Sequence, residues 1–373
     1  MSADRSGESD IDFVVAGGAR YGMGHVMRSG TLAAAAAGRG WRVRAFLAGD
    51  RTAEQAWRDR CPGSNVTAWT AWRARRSAPV TLFDHPFSKS RWLAACPPER
   101  THSVVLDDER AVGRARLTIN PALHHAPDEE TARSGPPAPA SRPAEVLSGP
   151  RYAILDPVHR GIRHAPLSAR RTLLVSLGGA DPHHATPRLA PILARVLERV
   201  GPSCGIEARH VVLGPAFADP DERIRRALAA AAWRVERALK PAAMAASMAT
   251  ARLAVVGFGT SLTELAWHGT PHLSLTHHDA DVPRARTLER RGIGRWLGSA
   301  ARIDPDEVAT RFEAALRDLA WQSDSAARAR DALEGARGVE RILDRIAPWI
   351  VAARSTQARR PRAQSVGAGG VGC

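Results

Sequence analysis

The sequence predicts an α/β protein built from two parallel-sheet domains that face each other across a cleft. Three observations predict it. At 373 residues the chain exceeds what one hydrophobic core usually organises. Short apolar runs alternate with helical stretches in both halves, and a proline-rich interval separates them.

In the first half the runs are residues 13–16, 43–47, 80–83, 103–106 and 117–119. An Ala-rich helical stretch follows the first run. The interval 126–148, which includes Gly135-Pro136-Pro137-Ala138-Pro139, can carry neither a helix nor a central strand and reads as a linker. The expected boundaries are an unstructured N-terminus at 1–10, a first domain at 11–148 that includes the linker, a second domain at 149–352, and an unstructured tail at 353–373.

The second half repeats the pattern. Runs at 172–177, 209–213 and 253–256 lead into Gly178-Gly179, Gly214 and Gly257, and a run at 272–275 leads into a His/Asp-rich loop. Residues 323–351 carry apolar side chains at helical spacing and predict one terminal amphipathic helix. In open parallel sheets ligands bind beyond the carboxyl ends of the strands, so the glycine turns mark the rim of the cleft.

Composition limits the function classes. The formal charge is +15, yet only Lys89 and Lys240 among 53 basic residues are lysines, and the arginines are spread along the chain. Aromatic residues make up 5%, with little interleaving among the basic ones, which argues against a nucleic-acid platform. Cys61, Cys96, Cys204 and Cys373 form no CxxC pair, so neither a zinc site nor a disulfide framework is expected. No apolar stretch is long enough to span a bilayer and the first ten residues are polar, predicting a soluble cytoplasmic protein without stable membrane insertion.

Two motifs carry chemistry. Gly22-Met23-Gly24-His25-Val26-Met27-Arg28 lies where the first strand gives way to the first helix. Glycines there let backbone approach a ligand, the helix start offers unpaired N–H groups to an anion, and His25 brings a side chain that can exchange a proton near neutral pH. Gly257-Phe258-Gly259-Thr260-Ser261-Leu262-Thr263-Glu264 repeats this logic for a diphosphate. Glu264, one turn into its helix, can accept hydrogen bonds from the vicinal hydroxyls of a ribose; alternatively, it closes a capping box with Thr260 or Ser261. Gly178-Gly179-Ala180-Asp181 is a further glycine turn, and Asp84-His85 and Asp107-Asp108 end neighbouring strands where either pair can orient His25 or a sugar hydroxyl. The pairs His124-His125, His183-His184 and His277-His278 have no third ligand at metal spacing.

At these residues, and at Gly149-Pro150-Arg151-Tyr152-Ala153-Ile154-Leu155 and Trp267-His268-Gly269-Thr270-Pro271, the chain resembles a family of bacterial hydrolases. These enzymes cleave UDP-2,4-diacetamido-2,4,6-trideoxy-β-L-altrose in pseudaminic acid synthesis and are related to MurG-type glycosyltransferases. The resemblance spans roughly residues 12–300. It implies two Rossmann-like domains of the GT-B type, the second binding nucleotide, with no metal and no cofactor. It also implies His25 as general base on water; Asp84 joins it as a catalytic candidate, and the choice among Asp84, His85, Asp107 and Asp108 as the support of His25 stays open. Gly22, Gly24, Arg28, His85, Gly178, Gly179, Gly257, Gly259, Thr260, Ser261, Glu264 and Asp281 become substrate contacts, the UDP diphosphate lying on the Gly257–Ser261 turn.

The chain departs from that family in three places. Residues 14–21 lack its Arg-x-Asp-x-Ser stretch, Ala280 and Asp281 replace an Asn-Gln pair, and Pro86 stands where an aromatic usually follows Asp-His. The UDP half of the substrate is therefore carried by more of the motif set than the sugar half. Two other functions fit the same residues: a glycosyltransferase in which His25 deprotonates an acceptor hydroxyl, and a non-catalytic nucleotide-sugar binder. A membrane-associated transferase would favour an exposed patch, for which Trp57, Trp69 and Trp72 with Arg73, Arg75 and Arg76 are the candidates.

Overall fold

The structure is a computed structural model that describes residues 9–72, 77–86, 93, 96, 101–106, 115–125 and 145–359. The first lobe is a seven-stranded parallel sheet: β1 (Ile11–Ala16), β2 (Val43–Ala48), β3 (Asn65–Ala68), β4 (Val80–Asp84), β5 (His102–Leu106), β6 (Leu117–Asn120) and β7 (Glu145–Ser148), in the order β3-β2-β1-β4-β5-β6-β7. The second lobe has six: β8 (Thr172–Ser176), β9 (Ala208–Leu213), β10 (Arg234–Arg237), β11 (Ala251–Gly257), β12 (His272–Thr276) and β13 (Arg295–Ser299), in the order β10-β9-β8-β11-β12-β13. All pairings within both sheets are parallel.

Every apolar run read from the sequence is a strand, and each is buried because helices cover both sheet faces. Four further strands were not expected: β3, β7, β10 and β13. These are the four sheet edges, short and only partly buried, so polar residues are tolerated along them and no apolar run announces them. One of them corrects the linker: Glu145–Ser148 pairs with β6, while residues 126–144 lie outside the described residues.

The expected terminal helix is two helices, Leu319–Ala332 and Gly338–Arg359, separated by a turn in which Gly335 has φ +75°. The break redirects the chain. Val339, Ile342, Leu343, Ile346 and Ile350 of the last helix join Phe13, Leu32 and Ile119 in the core of the first lobe, so the segment drawn as 149–352 ends inside its neighbour. The two chain crossings touch: a Cβ on Gly338 would lie 2.2 Å from the Ala153 carbonyl oxygen.

The tryptophans also find core positions. Trp57 is fully buried edge-on against Phe13 with its indole N–H on Ser64 Oγ, Trp72 is buried against Phe83, and Trp69 is partly buried. They form no exposed apolar patch; Arg73, Arg75 and Arg76 lie outside the described residues.

The ends of the chain meet at Asp10, which the sequence places in an unstructured segment. Its buried carboxylate accepts from the Arg42 backbone N–H (2.7 Å) and from Arg354 Nε and Nη2 (3.0 and 2.8 Å), and the last helix runs on to Arg359. Residues 1–8 and 360–373 lie outside the described residues. Burial alone would raise the Asp10 pKa, but Arg354 and Arg42 reverse this and lower it from 3.8 to about 2. A depressed carboxylate stabilises the fold above its unfolded pKa and loses that contribution as it is protonated. Asp10→Asn should therefore lower stability at neutral pH by about 1 kcal/mol, because solvent screens the half-exposed Arg42 and Arg354 guanidiniums. The gap from the parent, followed by denaturant unfolding, should close as pH falls from 3.8 toward about 2.

Candidate active site

Both sheets reverse strand order at one point, between β1 and β4 in the first lobe and between β8 and β11 in the second. Crevices for ligands open at such points, beyond the carboxyl ends of the strands. The four chain segments leaving these strands are the turn from Gly17 to Gly24, Asp84-His85, Gly178-Gly179 and Gly257–Thr260. These are the segments the sequence singled out.

In the first lobe, Gly18 and Gly22 pair across the turn with φ of +100° and +74°. A Cβ on Gly18 would lie 2.4 Å from the Asp50 carboxylate, which accepts from Ala19 N (2.8 Å) and caps the helix Arg51–Arg60. The departure from the Arg-x-Asp-x-Ser stretch is thus a glycine turn clamped by Asp50. The helix Gly24–Gly38 then begins with no side-chain cap, and His25, Arg28 and Ser29, three and four residues apart, share one face. That face meets Asp84. His25 Nδ1 is 2.7 Å from Asp84 Oδ1, Arg28 Nε and Nη2 donate to Oδ2 and Oδ1 (2.8 and 2.5 Å), and Ser29 Oγ donates to Oδ2 (2.8 Å).

Asp84 is fully buried, and burial would raise its pKa; the Arg28 guanidinium and His25 overcome this and hold it far below the usual carboxylate range. As a carboxylate it only accepts, so His25 Nδ1 carries the proton and Nε2 is the basic nitrogen. Arg28 lines the cleft and directs two donor nitrogens to Asp84. Asp107, Asp108 and Glu109 lie outside the described residues.

The second lobe brings glycines into close contact. A Cβ on Gly214 would lie 2.3 Å from the carbonyl oxygens of Gly178 and Gly179, and one on Gly257 would meet His277 Nε2 at 2.8 Å and the Leu177 carbonyl at 2.9 Å. Asp181 is buried and accepts from Ala185 N and Thr186 N, so it caps the helix Ala185–Val200. The helix Ser261–His268 has no such cap: Thr260 is already helical in φ and ψ and its side chain makes no capping bond. No capping box forms there. Glu264 instead faces His159, with Oε1 3.6 Å from Nε2.

The two lobes approach at these turns. A Cβ on Gly24 would lie 3.6 Å from Thr260 Cγ2, and one on Gly179 would lie 2.4 Å from Met23 Cγ. Between them lies a cleft of about 1760 Å³ lined by Gly22, Gly24, His25, Arg28, His85, Gly178, Gly179, Gly257, Gly259, Thr260, Ser261, Glu264 and Asp281. Asp84 sits behind His25. The lining also includes Pro86 and Ala280, and Asp281 is paired with Arg284 Nη1 at 2.7 Å. Sequence reasoning missed Arg20, Arg60, His159, Lys240 and Arg284. Lys240 had a signal, being one of two lysines in a chain that otherwise uses arginine; the scattered arginines had none. Among the described residues no group of three or more His, Cys, Asp or Glu side chains is placed to hold a metal ion.

No protein-family model and no curated protein matches this chain. Solved structures do match, and they show the GT-B fold. MurG of Acinetobacter baumannii is 14% identical, with 91% of this chain and 99% of that one covered and a TM-score of 0.55. The UDP-GlcNAc 2-epimerase of Neisseria meningitidis, bound to UDP-GlcNAc, is 8% identical over 91% and 99%, with a TM-score of 0.61. The calicheamicin glycosyltransferase CalG4 is 16% identical over 93% and 99%, with a TM-score of 0.56.

Asp84→Asn removes the charge that compensates the mostly buried Arg28 guanidinium. The expected cost is about 3 kcal/mol, the usual result of breaking one side of a buried pair. Equilibrium unfolding in denaturant measures it.

Proposed function

We propose that the protein binds a nucleoside-diphosphate sugar, with UDP as the leaving group, and transfers the sugar to an acceptor hydroxyl. The pairing of His25 Nδ1 with buried Asp84 at 2.7 Å, opposite the uncapped helix at Ser261, carries this reading. Asp84 keeps the proton on Nδ1, which leaves Nε2 to take the proton of the attacking hydroxyl. The hydroxyl oxygen bonds to the anomeric carbon as the bond from that carbon to the diphosphate breaks, and the electron pair leaves with UDP. Negative charge growing on the diphosphate is favoured by the positive end of the helix Ser261–His268 and by Lys240 and Arg284 in the cleft wall. Glu264 accepts from the ribose hydroxyls.

Transfer is preferred to other outcomes because the cleft of about 1760 Å³ exceeds the roughly 300–1000 Å³ that a single small ligand fills. It reaches past His25 to Arg51, Gln55 and Arg60, where an acceptor has room. The calicheamicin enzyme CalG4 is a glycosyltransferase of the same fold. Hydrolysis, with water as the nucleophile and an amino-deoxy sugar as substrate, is the second reading. The ordered motifs from Gly22 to Pro271 favour it, and so does burial of Trp57 and Trp72, which removes the patch expected of a membrane-associated transferase.

His25→Ala should keep UDP affinity while lowering UDP release from a UDP-sugar by about 100-fold or more, the usual share of a general base. Coupled UDP detection in steady state reads this, and unchanged turnover removes His25 from the mechanism. The same assay separates the readings: release that requires an added acceptor supports transfer, whereas equal release without one supports hydrolysis.

A further inference from the structure

Behind Glu264 lies a line of three histidines that the proposed chemistry does not use. His159 Nδ1 is 2.9 Å from His268 Nε2, and His268 Nδ1 is 3.0 Å from His164 Nε2. The line ends in charged groups of opposite kind. At the cleft, His159 Nε2 faces Glu264 Oε1 at 3.6 Å; at the far side, Arg330 Nη2 is 3.5 Å from His164 Nδ1. Glu264 and His268 are four residues apart on one helix face, and His159 lies beside both in the turn Pro157–Gly161.

The surroundings hold this line in place. Trp267 Nε1 donates to the His159 carbonyl (3.0 Å), and Asp156 caps the turn through Val158 N (3.0 Å). Arg170 Nη2 donates to the His268 carbonyl (2.9 Å). Gly269 ends the helix at φ +56°, a left-handed backbone that favours glycine, and the Arg330 guanidinium that closes the line packs directly against it.

Two chemical facts set the direction of every bond. A guanidinium only donates and a carboxylate only accepts. Arg330 therefore gives its N–H to His164 Nδ1, His164 Nε2–H donates to His268 Nδ1, and His268 Nε2–H donates to His159 Nδ1. His159 Nε2–H then points its positive end at Glu264. The opposite set of tautomers would set N–H against N–H at Arg330 and a lone pair against the carboxylate at Glu264. Burial, with His159, His164, Arg170 and Arg330 adding to it, pushes the His268 pKa down to about 3, so the middle ring is neutral and able to donate and accept at once.

We propose that His159, His268 and His164 are positioning residues: a polarised imidazole line that orients the Glu264 carboxylate as the acceptor for a vicinal diol. The proposal rests on the reading of Glu264 as the ribose-binding group. The positive end of the His159 N–H lies 3.6 Å behind one carboxylate oxygen and attracts it electrostatically, and the remaining lone pairs are aimed at the 2′ and 3′ hydroxyls. Discrimination between a ribonucleotide and its deoxy analogue thus depends on His268, which is fully buried and outside the cleft lining.

The probes are UDP and 2′-deoxy-UDP, titrated calorimetrically against the full-length protein. The wild type should prefer UDP by about tenfold or more, the worth of one charge-assisted hydrogen bond. His268→Leu should reduce the preference to within about twofold, weakening UDP more than 2′-deoxy-UDP, which loses only its 3′-hydroxyl contact. His268→Gln, whose amide both accepts and donates, should restore part of it. A preference that persists in His268→Leu overturns the line, and an equal loss of affinity for both probes assigns His268 to packing alone. Equal binding of both probes by the wild type instead overturns the ribose reading, and the proposal with it, before any variant is made. Should a variant fail to fold, ¹⁵N-histidine spectra of the wild type still decide: all three rings must be neutral with the proton on Nε2, and a proton on Nδ1 of any of them overturns the assignment.

Discussion

A carboxylate with no exposure to water sits at the end of β4, and the arrangement of the first lobe follows from making that tolerable. An isolated buried charge is prohibitively costly, so Asp84 must be met by donors. His25, Arg28 and Ser29 meet it from one helix face, which sets the rotation of the helix Gly24–Gly38 over the sheet and the place where that helix starts. The turn before it follows: Gly18 and Gly22 take left-handed backbone so that the chain leaves β1 and enters the helix at that angle. One ion pair thereby decides both a packing interface and the orientation of the imidazole that opens on the cleft.

The second lobe reaches the same cleft by other means. Backbone there is drawn together by glycines, with Gly179, Gly214 and Gly257 packed where a Cβ would collide, the last two against carbonyl oxygens. The chain crosses between lobes near Ala153 and again near Gly338, and the last helix completes the first lobe's core. A cleft bounded by two sheets and two adjacent crossings is suited to holding a long ligand at both ends.

How much of this could be read in advance differs by element. Central strands were legible because burial on both faces requires continuous apolar runs, as in residues 253–256. Edge strands were not, since Asn65–Ala68 and Arg234–Arg237 satisfy half their backbone in water and need no such run. The proline-rich interval hid β7 for the same reason. The terminal amphipathic pattern was read as one helix because apolar spacing survives across Gly335, where only the left-handed backbone breaks it.

By itself the sequence determined the fold class, the two domains, the glycine turns and the candidates His25, Asp84 and Glu264, because strand burial and backbone approach to a ligand demand particular residue types at particular places. The tertiary structure decided which groups meet. It selected Asp84 as the partner of His25, turned Arg28 toward that carboxylate as well as the cleft, gave Glu264 a histidine in place of a capping box, and returned the last helix to the first lobe. Those pairings join residues far apart in the chain, as with His159 and Glu264 or Ile350 and Phe13, and only the packing of sheets and helices sets such distances.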